Sequence, residues 1–178
     1  MTEDDLFEIL DPVLSTLGAV VTGGDSYQQP LLDVLRYYTR PVRLSWMPVV
    51  GRALSVVAIV RQPVDVGLTD EGYRILLRRL SMAANDRFPP WKALSIGLTA
   101  LVLSPEPIQP DDDTAVQKAL GRRSRLRAVP LALFRVNLGQ EAMAMALAQG
   151  PDGLFAEPEA VADALTTRFR RFVPLLPS

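Results

Sequence analysis

Apolar residues recur along this chain at two spacings, and the spacing changes several times. From Asp4 to Leu17 the positions Leu6, Ile9, Leu10, Val13, Leu14 and Leu17 follow one another at intervals of three and four. That spacing predicts an amphipathic helix, with Pro12 inside it as a source of a kink. Thr22-Gly23-Gly24-Asp25-Ser26 reads as a turn, and Pro30, tolerated in a first helical turn, introduces a short second helix over Leu31 to Tyr38. The pattern then shortens. Val42 to Met47 and Ala53 to Arg61 are rich in β-branched and aromatic residues and flank Pro48 and Gly51, which predicts a hairpin. Ala53 to Val60 is apolar on both faces apart from Ser55, as expected of a central strand covered on both sides.

Helical spacing returns at Thr69, an N-cap followed by the acids Asp70 and Glu71 where the helix dipole favours them. Tyr73, Leu76, Leu77, Leu80 and Ala84 form the apolar face of that helix, which Pro89-Pro90 ends. Leu94 to Leu103 and Ala128 to Leu138 read as strands. Between them lie the proline-rich connection Ser104 to Pro110 and a short helix that starts at Asp111-Asp112-Asp113-Thr114 and ends at Gly121. Glu141 to Ala148 alternates at strand period in a helix-forming composition; we read it as a strand paired back across Gly139. The last element is an amphipathic helix from Pro158 to Val173, with Val161, Leu165, Phe169 and Phe172 on one face.

This order predicts an α+β fold, with a mixed or mainly antiparallel sheet of about four to five strands and helices packed on it, the first and last elements being helices. We find no repeat and no change in composition that divides the chain, so residues 1–178 read as a single α+β domain.

Composition then removes chemistry. The chain has no cysteine and no histidine, which excludes disulfides, thiolate metal sites, histidine ligands and the usual proton carrier near neutral pH. Gly24-Asp25-Ser26 superficially resembles the nucleophile block of GDSL-type serine hydrolases, but that family activates its serine with a histidine, so the resemblance is not carried further. The lysines are Lys92 and Lys118; Lys92, at a strand entrance after Pro89-Pro90-Trp91, is read as a solvated loop lysine in preference to a desolvated reactive one. Arginine outnumbers lysine 17 to 2, which fits a GC-rich genome.

The formal net charge of −1 gives no general attraction to nucleic acid, although a local basic patch remains compatible with it. One such patch is Arg122, Arg123, Arg125 and Arg127: if the segment is extended, Arg123, Arg125 and Arg127 share a face and suit a phosphate or an acidic partner. Asp111-Asp112-Asp113, and Asp65 with Asp70 and Glu71, offer oxygen ligands for a hard cation, but consecutive residues cannot all face one ion, and acids favoured by the dipole at a helix start are the preferred reading. Phe88-Pro89-Pro90-Trp91 sets two aromatics beside rigid prolines, a composition suited to an interface. Arg168, Arg170 and Arg171 around Phe169 match either a membrane-surface helix or the solvated side of a packed one.

The acidic start Met1-Thr2-Glu3-Asp4-Asp5 is not an export signal, and the longest apolar run, Ala93 to Leu103, is shorter than the roughly 18 residues that cross a bilayer. We therefore expect a cytoplasmic chain without a cofactor: a non-enzymatic protein-interaction or scaffold domain that self-associates as a homo-oligomer. The alternatives are nucleic-acid or phosphate-ligand binding through arginines 122–127, and a carboxylate-metal-dependent phosphoester hydrolase.

Overall fold

A computed structural model describes residues 1–23, 32–43, 52–88, 90, 95–120, 127–148 and 155–171. Within them the fold is α+β, built on a seven-stranded mixed sheet with four helices. The elements run α1 (Glu3–Thr16), β1 (Val20–Gly23), β2 (Asp33–Arg43), β3 (Arg52–Arg61), α2 (Asp70–Arg87), β4 (Ser95–Leu103), α3 (Asp112–Leu120), β5 (Ala128–Asn137), β6 (Ala142–Leu147), α4 (Glu157–Thr166) and β7 (Arg170–Arg171).

The strands lie in the sheet in the order in which they occur in the chain. β1, β2 and β3 are antiparallel neighbours; β4 and β5 are parallel to β3; β6 is antiparallel to β5, and β7 is parallel to β6. Each parallel step crosses over through a helix. α2 and α3 pack together on one face, against Val56, Ala58, Val60, Ile96, Leu98, Ala100 and Val102. α1 and α4 pack together on the other, against Tyr38, Val57, Ile59, Leu101, Phe134 and Val136. The hand of crossovers explains this division: β6 runs opposite to β5 while the chain keeps stepping the same way across the sheet, so one and the same hand carries α4 to the face opposite α2 and α3.

Local chemistry accounts for the helix limits. Thr2 and Asp5 form a reciprocal capping box at the start of α1, Thr2 N–H to Asp5 at 2.7 Å and Asp5 N–H to Thr2 Oγ1 at 3.2 Å. Gly18, at φ +81°, ends it in a Schellman turn: the Ala19 N–H donates to Leu14 O at 3.0 Å and the Gly18 N–H to Ser15 O at 2.9 Å. Thr69 caps α2 as its position predicts, accepting from the Gly72 N–H at 3.1 Å.

The α1 face, α2, α3, the central β3 and the β5–β6 pairing agree with the sequence pattern. Three expectations are corrected. The sheet has seven strands, not four to five. Residues expected to form the second helix, Leu31 to Tyr38, are from Asp33 onward part of β2, which pairs with β3 from Asp33↔Arg61 to Arg43↔Arg52. Tyr37 and Tyr38 bury on opposite faces of the sheet, an arrangement a helix does not permit and that ten paired positions of β3 reward. The last helix stops at Thr166 rather than Val173, and Phe169 is buried from the turn that leads into β7.

Candidate ligand-binding cleft

β3, β4 and β5 are parallel, so their carboxyl ends open on the same edge of the sheet, and their ladder continues one residue past the strands. The Gln62 N–H donates to Leu103 O at 2.8 Å and the Ser104 N–H to Val136 O at 3.0 Å. Beyond this edge lies a cleft of about 570 Å³ lined by Glu3, Arg61, Gln62, Leu103, Ser104, Pro105, Asn137, Leu138 and Gly139. One wall is the first turn of α1. The other is the proline-rich loop that follows β4.

That loop is held by two side chains of β5. Prolines at 105 and 107 deny it a regular N–H pattern, which leaves carbonyls in need of donors. Asn137 Nδ2 donates to the carbonyls of Pro105 at 2.9 Å and Glu106 at 2.8 Å; Arg135 Nη2 donates to those of Glu106 at 2.9 Å and Pro107 at 3.1 Å. Residues 135 and 137 are two apart on a strand, so both face the side carrying α2 and α3. Asn137 Oδ1 also accepts from the Gln140 N–H at 2.7 Å, closing the turn into β6.

Arg135 is 1% exposed. Its Nη1 pairs with Asp112, whose carboxylate also accepts from the Gln109 N–H at 2.6 Å. Arg135 Nε and the hydroxyl of Tyr73 are buried with no partner. Burial, before any charge, pushes the Tyr73 phenol above its ordinary range, with Asp112 and Glu106 adding to the rise and Arg135 opposing it. The next residue, Asp113, accepts from the Met145 N–H of β6 at 2.8 Å and from Arg171 Nε of β7 at 2.9 Å.

On the other wall Arg61 donates to both oxygens of Glu3 at 2.8 Å and to Asp33 at 2.6 Å. These bonds raise its pKa, Glu3 contributing most, so the guanidinium keeps its charge under all ordinary conditions. Further along β2, Arg36 and the Tyr38 hydroxyl both bind Asp11, and Arg40 pairs with Glu157, a carboxylate 1% exposed at the start of α4.

The residues singled out from sequence fall elsewhere. Arg122, Arg123, Arg125, Pro89, Trp91, Lys92 and Gly24-Asp25-Ser26 lie outside the described residues. Arg127 donates to the carbonyls of Asn85, at 3.0 Å, and Phe88. Phe88 closes α2 and packs against the core, and Pro90 is exposed. Lys118 is exposed in the last turn of α3. The acids are matched to arginines: Asp65 to Arg79 at 2.6 Å, Asp70 and Glu71 to Arg74, Asp112 to Arg135 and Asp113 to Arg171, while Asp111 is exposed. Among the described residues no three carboxylates converge as a metal site would need. Arg168, Arg170 and Arg171 follow α4 rather than lie along it, and no described helix is long and apolar enough to cross a membrane.

Sequence reasoning missed the cleft because Glu3, Arg61, Ser104 and Asn137 come from four distant segments. Its one legible sign was the proline-rich connection after β4. Compared with known protein families, curated proteins and solved structures, the chain has no match in any of the three.

Proposed function

We propose that this chain is a non-catalytic binding domain that holds a small, mainly apolar ligand in the cleft at the carboxyl ends of β3, β4 and β5. The observation that carries the reading is the position of the cleft. Ligands of open α/β sheets bind outside the carboxyl ends of parallel strands, and a cavity of several hundred Å³ with a few fixed polar groups is the usual form of such a site. Here the strand order does not reverse, so there is no switch-point crevice; the opening comes instead from α1 approaching on one face and loop 104–107 on the other. Among the described residues of the cleft wall, the one hydroxyl, that of Ser104, accepts from the Glu106 N–H and pairs with no base, which favours binding over turnover.

The test is a fragment screen followed through backbone amide NMR shifts. Hits that move the amides of Gln62, Ser104 and Gly139, and that vanish in Leu138→Trp, support the reading. Shifts confined to other surfaces end it.

A second reading, self-association as an interaction domain, is favoured by the outer strand β1. Val20 and Val21 there are 63% and 47% exposed on opposite faces of the sheet, and the strand carries no charge. Uncharged apolar edges invite pairing with another strand. Light scattering on size-separated protein decides it: a dimer that Val21→Lys dissociates supports the reading, and a monomer at every concentration opposes it.

A further inference from the structure

From the donors and acceptors around the cleft, we infer the class of its ligand: an apolar body ending in an uncharged or cationic hydrogen-bond donor, an amide or an amine, and not a carboxylate or phosphate. This assignment rests on the cleft reading above. Among the described residues of the wall, the one guanidinium that could attract an anion already faces two carboxylates. Arg61, the cationic side chain on the wall, gives its Nε and Nη2 to Glu3 and its Nη1 to Asp33. Two carboxylates to one guanidinium leave this trio with surplus negative charge. Asn137 spends its amide nitrogen on the Pro105 and Glu106 carbonyls, and Gln62 donates to Val66 O at 3.0 Å. Ser104, buried, accepts from the Glu106 N–H at 3.3 Å and carries no charge.

The spare capacity is on the acceptor side. Gln62 Oε1 receives no donor, though it is closed off from solvent. The charged acceptor on the wall is the Glu3 carboxylate, about one third exposed; Asp33 lies off the wall and adds its charge through its pairing with Arg61. A donor group placed against Glu3 gains a charge-assisted hydrogen bond, whereas an anion meets like charge with its counter-cation already offset. Leu103, Pro105 and Leu138 supply the surface for the apolar body.

Three probes with the same ring separate the outcomes: 2-phenylethylamine, phenylacetamide and phenylacetate, titrated at neutral pH while the amide signals of Ser104 and Gly139 are followed. The expected result is that the amine and the amide shift these signals and phenylacetate does so more weakly than either. Glu3→Gln then weakens the amine about two- to fivefold, the size of one partly exposed charge pair, and strengthens phenylacetate, because Arg61 is then offset by one carboxylate instead of two. Phenylacetate binding the unaltered chain as tightly as the amine overturns the assigned class while leaving the cleft reading intact. If none of the three moves the cleft signals, the cleft reading fails and the assignment with it.

Discussion

At the scale of single residues, the interior holds an imbalance between donors and acceptors near Arg135. Both of its Nη atoms are bonded, Nη1 to Asp112 and Nη2 to the loop carbonyls, yet its Nε and the Tyr73 hydroxyl have no partner. An unsatisfied buried hydroxyl costs about 1–3 kcal/mol, so Tyr73→Phe is expected to leave stability unchanged at neutral pH or raise it by about 1 kcal/mol. Urea denaturation measures this; a loss of more than about 1 kcal/mol would show that the hydroxyl is satisfied, most simply by a water shared with Arg135. The same residue contributes to the alkaline limb. Its folded pKa is raised mainly by burial, as is that of Tyr38, so the stability tied to each neutral phenol is fully present below the unfolded value of about 10 and is lost as pH rises through the folded value. Denaturation curves above pH about 10 should therefore fall less steeply for Tyr73→Phe than for the unaltered chain.

At the scale of elements, periodicity was informative wherever an element is long enough to repeat and either shows one apolar face or is apolar throughout. α1 and α2 meet the first condition, with Leu6, Leu10 and Leu14 on one face of α1, and β3 meets the second, with Val56 to Val60 buried on both faces of the sheet. β2 meets neither, because Leu35 and Tyr38 face one helical layer and Val34 and Tyr37 the other with Arg36 between them, and that interrupted pattern resembles a short helix until β3 is seen beside it. β1 has four residues and β7 two, so each exists through its pairing and not through its own pattern. The acidic run at 111–113 was legible as a helix start but not as a clamp. Buried Asp113 joins α3 to β6 and β7, and removing it frees the Met145 N–H and the Arg171 guanidinium together. Asp113→Ala should cost about 1.5–3 kcal/mol, the range for hydrogen bonds to a charged group. Hydrogen exchange should accelerate first at Phe169, Arg170 and Met143; unchanged exchange there would mean that β7 is held by other contacts.

At the scale of the whole molecule, the placement of α2, α3 and α4 follows from one crossover hand and the reversal of strand direction at β6, and the cleft follows from three strands ending together. Its side chains could not be grouped from sequence because the grouping is made by that topology: Glu3 and Arg61 are 58 positions apart and Arg135 reaches back to the carbonyl of Glu106 across 29. The strictly sequential strand order has one more implication, for assembly. Among the described strands, each after β1 finds its partner already made, since none is inserted between two earlier ones. A chain emerging from the ribosome can therefore lay down this sheet from one side to the other, always adding to the newest edge. The β7 edge carries Arg170 and Arg171, both exposed, which discourages further addition; the β1 edge, with Val20 and Val21, has no charge to do so.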